Sequence, residues 1–303
     1  MSSISTAFKL LKHPSRLIPP LSDRGLLNWM SDSTYISLKY YGMTGKKLNL
    51  INPKGFNEKL QYLKLYNRNP AYVQYVDKYL VRKHVSEVLG DSYLVPFYGK
   101  WDRAEDITFE NMPDSFVLKC NHDSGSIKVI KNKAQASLGE IKEYYAKRIK
   151  RSSYYYGREW PYKHVKPCII AEAYLEDNTG ELRDYKFFCF DGEVRFFKVD
   201  FDRFNNHRAN YYDTQRRFLP ISEMLVPNDA NANIVLPDEI EEMIVCAQKL
   251  SKDIPFVRVD FYDVNGKIYF GEMTFFPGSG FDPFLPEEWE NKIGDMLALP
   301  TRE

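Results

Sequence analysis

The chain has 303 residues, 44% of them hydrophobic, which is enough for a sizeable core and for one large domain or two ordinary ones. Lys and Arg number 42 against 41 Asp and Glu, a formal net charge of +1, so no global field draws the chain to nucleic acid and that class of partner is excluded. Cys120, Cys168, Cys189 and Cys246 lie far apart and form no CxxC pair, which argues against a zinc site or a disulfide framework and for a reducing cytosol.

The first residues, Ala7 to Lys12 and Arg16-Leu17-Ile18, are basic and apolar. They suit docking on the body of the protein, or peripheral contact with the inner face of a membrane. No apolar run is long enough to span a bilayer and no signal-peptide pattern is present, so the expectation is a cytoplasmic chain that is neither exported nor membrane-spanning. Pro breaks divide residues 1–75 into short helical patterns, with Phe56 to Leu63 an amphipathic helix after Gly55, so this part is read as a helical N-terminal segment. Asp77 to Leu89 reads as a further helix. Ser115 to Lys119 is a buried-type strand, followed at once by the polar loop Asn121-His122-Asp123-Ser124-Gly125-Ser126, an apolar strand to Ile130 and a helix over 137–150. The second half is strand-rich, with strands at 168–174, 185–190, 193–200, 256–262 and 267–274 and a helix near 238–250. Asp191-Gly192 and Asn265-Gly266 each mark a hairpin.

The last hairpin plants charges in apolar strands: Arg258-Val259-Asp260 on one, Glu272-Met273-Thr274 on the other. Carboxylates in strands are costly unless partnered. A plain two-residue turn at Asn265-Gly266 would pair Asp260 with Gly271 and send Glu272 to the opposite face. A type I turn closed by Gly266 in the left-handed conformation shifts the register by one, so that Asp260 and Glu272 share a face with Arg258, and this is the predicted geometry. Two carboxylates and a guanidinium on one face suit magnesium bridging phosphate oxygens; a structural ion pair between Arg258 and Glu272 is the plain alternative.

Lys119 stands at a strand end before a glycine loop, an arrangement that grips phosphates through an ammonium and backbone N–H groups. Glu172 to Glu176 is an acidic exit from an apolar strand, suited to reading a nucleoside. The order of these elements, from Asp77-Lys78 through Lys119 to Ser126, Glu172 to Glu176, Arg258-Val259-Asp260, Glu272-x-Thr274 and Pro277-Gly278, resembles the ATP-grasp superfamily over roughly residues 76–282. Four segments, Phe56 to Gln61, Lys119 to Gly125, Tyr155 to Tyr162 and Asp184 to Phe190, look like the TupA-like ATP-grasp family from about residue 50 onward.

The resemblance implies an α+β fold in which two α+β subdomains sandwich ATP, with boundaries at 1–75 (helical segment), 76–171 (lysine strand and glycine loop) and 172–303 (metal-binding hairpin). It implies that Lys78 and Lys119 hold α- and β-phosphates with Ser124, Gly125 and Ser126, that Glu172, Tyr174 and Leu175 hold the nucleoside, and that Lys186 meets the polyphosphate. Asp260 and Glu272 would ligate Mg2+, with Thr274 where the family's third ligand is an Asn. Arg258, Lys186 and Lys119 would be catalytic. The implied activity is a carboxylate–amine ligase that joins an amino acid or peptide to a uronic acid of a bacterial surface polysaccharide (capsule, O-antigen or teichuronopeptide) or its lipid-linked precursor, through an acyl phosphate.

The segment Ser152 to Trp160 concentrates aromatics with an Arg, which suit sugar rings and uronate carboxylates, so Tyr156, Arg158 and Trp160 are acceptor candidates; a loop pinned by its own aromatics is the plain alternative. So are Arg203, His207 and Arg208 in the polar segment after the strand at 193–200, and Gly278 and Ser279. Loop 121–126 and segment 151–165 are the lid candidates. Two rival readings are an ATP-grasp sugar kinase and, from Asp200-Phe201-Asp202, a glycosyltransferase.

Overall fold

A computed structural model of the chain describes residues 14–178, 182–202 and 206–301. Two antiparallel sheets dominate. The first has four strands, β1 (Phe97–Trp101), β2 (Phe116–Cys120), β3 (Lys128–Ile130) and β4 (Ile169–Ala173), in the order β1-β4-β2-β3. The second has six: β5 (Asp184–Phe190), β6 (Glu193–Phe201), β7 (Arg208–Asp213), β8 (Phe218–Leu219), β10 (Phe256–Val264) and β11 (Lys267–Thr274), ordered β11-β10-β5-β6-β7-β8. A small pair joins β9 (Ser222–Glu223) to β12 (Phe284–Leu285). The helices are α1 (Ile18–Asp23), α2 (Asp32–Thr44), α3 (Phe56–Tyr66), α4 (Ala71–Val76), α5 (Val81–Val88), α6 (Leu138–Arg148), α7 (Tyr154–Gly157), α8 (Ile240–Leu250) and α9 (Glu287–Met296). No described helix is long and apolar enough to cross a membrane. The basic start, Ala7 to Lys12, lies outside the described residues.

Each sheet has its own core. Ile141 and Tyr145 of α6 pack on Phe116, Leu118 and Ile169 of the first sheet. The second sheet carries the larger core, and α8 covers one of its faces with Ile240, Met243, Ala247 and Leu250. Its opposite face changes character along the strands: Phe256 pairs with Phe190 and Phe188 with Phe196, and two residues further on Asp260, Lys186 and Lys198 stand side by side. Helix α3 covers the apolar end, with the Phe56 ring centroid 4.9 Å from that of Phe256 and 5.6 Å from that of Phe284. The helical N-terminal segment is thus not a separate body, because α3 completes the second sheet's core.

The motif Phe56 to Gln61 owes its residue types to this docking. Glu58 accepts the backbone N–H groups of Lys54 and Gly55 at the helix start, at 2.9 and 3.3 Å. Asn57 donates to Glu290 of α9 through its backbone and side chain, at 2.6 and 3.0 Å. Lys59 donates to the Gly294 and Leu297 carbonyls, at 2.7 and 2.8 Å, so one face of α3 holds the C-terminal helix. Gly294 is obligatory there, since a Cβ would lie 2.2 Å from the Lys54 carbonyl oxygen.

Candidate functional site

Asp260 pairs directly with Glu272 and Arg258 with Thr274, so the four side chains share one face as expected, but by a different route. The turn is a plain two-residue one: Val264 pairs with Lys267, and Asn265 and Gly266 both have positive φ, 54° and 85°. The one-residue shift is made farther along, at a bulge where Gly271 is left between the Asp260–Glu272 and Phe261–Phe270 pairs. Glycine suits that place, since a Cβ there would sit 3.1 Å from the Asp260 carbonyl oxygen.

Arg258 grips Asp260 with two parallel bonds of 2.7 Å, and its Nη2 also reaches Glu272 at 3.3 Å and Thr274 at 3.1 Å. Lys186 lies between Asp184 and Asp200, at 2.8 and 2.6 Å, and 3.9 Å from Asp260. Lys198 extends the chain of charges from Asp200 (3.7 Å) to Glu223 (2.5 Å). Burial, helped by the Glu272 charge, raises the Asp260 carboxyl, while Arg258 and Lys186 oppose it. At Glu272 burial also acts upward, but Lys78 and Arg258 outweigh it and hold the carboxyl at about 2.

Lys78 ties this sheet to the first one. Its backbone N–H donates to the Asn121 carbonyl at 3.0 Å and its ammonium reaches Glu272 at 3.3 Å. On the first sheet Lys119 is ion-paired with Glu172, which Arg82 also contacts at 3.1 Å. The loop after Lys119 is braced from within. Asn121 donates to Asp77 at 2.8 Å and accepts from the Cys168 N–H at 2.7 Å, and a ring nitrogen of His122 is 2.9 Å from the Arg151 carbonyl. Ser126, expected on phosphate, is buried in the loop base, where it accepts the Cys120 N–H at 2.8 Å and donates to Asp123. Ser124 and Gly125 are exposed at the loop tip.

A cavity of about 840 Å³ collects Lys78, Ser124, Gly125, Tyr156, Arg258, Glu272, Thr274, Gly278 and Ser279 from the expected residues. Three regions that sequence reasoning did not place there also line it: Ser22 to Gly25 at the end of α1, Arg148 at the end of α6, and Asp282. Tyr174 and Leu175 follow the end of β4, half-buried, with Lys131 5.7 Å from the Tyr174 ring.

Other acceptor candidates fall elsewhere. Arg158 is 2% exposed and donates to the carbonyls of Leu27, Asn28 and Met30, at 3.4, 2.9 and 3.4 Å. Tyr35 donates to the carbonyls of Tyr155 and Tyr156, and Lys39 to that of Tyr156 at 2.7 Å, so this aromatic segment is clamped to α2 and leaves Tyr155 and Tyr156 exposed. Trp160 belongs to the core. The lid expectation for 151–165 therefore meets a clamped segment, and the tip at Ser124 and Gly125 is the open part. His207 stands 3.5 Å from Asp200, and neither it nor Arg208 lines the cavity. Arg203 lies outside the described residues. Asp200 of the DxD-like triplet is buried and taken by Lys186 and Lys198.

Among the described residues no group of three or more His, Cys, Asp or Glu side chains is placed to hold a metal ion. Asp260, Glu272 and the Thr274 hydroxyl supply a smaller set of hard oxygen donors. Such a set fits magnesium, which keeps water and substrate phosphates among its ligands.

The family model described as TupA-like ATPgrasp matches residues 58–298. Solved structures that the chain is similar to include the D-alanine–D-alanine ligase of Helicobacter pylori, at 15% identity and a TM-score of 0.42, over 80% of this chain and 69% of that one. They also include the D-alanine–D-alanine ligase of Bacillus anthracis, at 15% identity and a TM-score of 0.39, over 67% of this chain and 57% of that one. Biotin carboxylase of Campylobacter jejuni is matched at 15% identity and a TM-score of 0.42, over 81% of this chain and 49% of that one. The chain thus spans little more than half the length of the Bacillus anthracis enzyme. Among curated proteins none matches the sequence.

Proposed function

Because the chain belongs to the TupA-like ATP-grasp family, we propose that it is an ATP-dependent carboxylate–amine ligase, joining an amino acid or short peptide to a uronic acid of a bacterial surface polysaccharide or its precursor. The observation that carries the ATP half is the bridge across the cavity, in which Lys78 of the first sheet's border meets Glu272 of the hairpin that also presents Arg258 and Asp260. Lys78 and Lys119 hold the phosphate chain, Ser124 and Gly125 offer backbone N–H groups to it, and Glu172 with Tyr174 and Leu175 receives the nucleoside. Lys186 is too deeply enclosed by Asp184 and Asp200 to leave them, so it sets the position of Asp260.

Asp260, Glu272 and Thr274 would hold magnesium, which would supply positive charge to offset that of the phosphates. Arg258 places a guanidinium where charge gathers as a substrate carboxylate oxygen attacks the γ-phosphorus to form an acyl phosphate. An amine then displaces phosphate. Exposed Tyr155 and Tyr156 at the cavity support a sugar ring on the acceptor side, because apolar sugar faces stack on such rings.

The test is ADP and phosphate release with ATP, Mg2+, a methyl glycoside of glucuronic acid and pooled L-amino acids. Release only when both acceptors are present is the expected result. Release with a neutral sugar alone would replace the ligase reading by a kinase, and UDP release from a UDP-sugar without ATP use would replace it by a glycosyltransferase.

A further inference from the structure

Asp282 is a cavity carboxylate that the proposed phosphate chemistry leaves without a task. The other acids of the cavity are engaged. Asp23 is paired with Lys39 at 2.9 Å, Glu272 with Lys78 and Arg258, Asp123 accepts from Ser126, and Glu159 accepts from Ser279. Asp282 makes no ion pair among the described residues; its Oδ1 accepts the backbone N–H of Met224, at 3.1 Å, and the Leu225 N–H also faces the carboxylate.

Its position is built. The turn before it carries three consecutive left-handed residues, Gly278, Ser279 and Gly280, with φ of 54°, 54° and 61°. A Cβ on Gly278 would lie 2.9 Å from the Asp282 Cβ, so the turn folds back against this side chain. Asn57 of α3 fixes the Asp282 carbonyl at 3.0 Å, and Gln61 and Lys64 of the same helix hold the carbonyl of Ser279, at 3.2 and 2.6 Å. The backbone that carries Asp282 is thereby held by a rigid frame, and the residue lines the cavity.

We propose that Asp282 is the amine subsite, holding the incoming ammonium group and taking its proton before attack. This inference rests on the ligase reading above. One proton of the ammonium passes to the carboxylate. The freed nitrogen lone pair forms the C–N bond as the C–O bond to phosphate breaks with its electron pair on phosphate, and the second proton leaves with the phosphate. Burial and Glu223 raise the Asp282 carboxyl to about 6, against Lys198 and the backbone N–H groups of Met224 and Leu225. That value leaves it ionised at neutral pH with more proton affinity than an ordinary carboxylate.

The test compares wild type with Asp282→Asn, which keeps an acceptor for the Met224 N–H, and with Asp282→Glu, which keeps the charge. Turnover is followed with the amino-acid pool and with hydroxylamine, a nucleophile that is neutral at the assay pH. The expected result is a fall of about 100-fold or more for Asp282→Asn with the amino acid. The fall with hydroxylamine is at least about tenfold smaller, and Asp282→Glu recovers part of the amino-acid rate. In wild type the amino-acid kcat/KM drops below about pH 6, and Asp282→Asn lacks that limb. Equal falls with both nucleophiles, or a change below about threefold with the amino acid, would overturn the assignment. A wild type that releases no ADP with any pair would instead sink the ligase reading itself.

Discussion

On one face of the six-stranded sheet Arg258, Asp260, Lys186, Asp200 and Lys198 form one continuous chain of ion pairs that ends on Glu223 of β9, every member buried. The four-stranded sheet carries a short paired set, Lys119 and Glu172 with Arg82 of α5, and offers the cavity a loop whose tip is open to solvent. Buried charges are stable only while all partners are present, so the first arrangement fixes its geometry at the cost of tolerance to substitution. The loop, braced at its base by Ser126 and His122, can change its tip at small cost. The difference separates residues that set the position of a site from residues that respond to what binds there.

The largest expected effect breaks the buried chain. Lys186→Met leaves Asp184, Asp200 and Asp260 short of a cation and should cost about 3–5 kcal/mol of stability, read from urea or thermal unfolding. A loss under about 1 kcal/mol would show that the chain is not held as a unit. Glu272→Gln should do the reverse. Its side chain is 34% exposed, so the fold should survive with an unfolding midpoint near wild type, while ATP-dependent turnover falls by roughly three orders of magnitude. Preserved turnover in that variant would remove Glu272 from the metal site.

Asp200→Asn tests the sign of the electrostatics. Lys198 and Lys186 overcome burial and hold the Asp200 carboxyl far below the usual carboxylate range. The stability it contributes is therefore complete above its unfolded value, about 4, and is lost as pH falls toward the folded one. The gap between wild type and Asp200→Asn should be constant from about pH 5 to 8 and should narrow below about pH 4. A gap that widens in acid would contradict the pairing. The smallest effect concerns the loop. Ser126→Ala removes the acceptor for the Cys120 N–H and should cost about 1 kcal/mol with a severalfold rise in the KM for ATP, leaving kcat nearly unchanged.

Most strands and the shared face of Asp260 and Glu272 were legible in the sequence, because apolar alternation and the Asn265-Gly266 signal are local. The means of sharing that face was not, since a bulge at Gly271 is chosen by what packs around the strand rather than by the turn. Arg158 looked like a binding residue because its partners, the carbonyls of Leu27, Asn28 and Met30, lie about 130 residues away, and no local pattern announces them. Helix α9 went unread because its apolar positions, Trp289, Ile293 and Met296, are few and its N-terminal partner is Asn57 of α3. Asp282 carried no motif at all; only the cavity singles it out.

The bulge at Gly271 also bears on how the chain avoids misassembly. A hairpin zipped straight from its turn without that bulge would place Asp260 opposite Gly271 and turn Glu272 toward the layer occupied by α8. There it would meet the apolar side chains of the core, where an unpartnered carboxylate is costly. A single skipped residue thus separates two alignments of one hairpin, and the same carboxylate that lines the cavity penalises the wrong one.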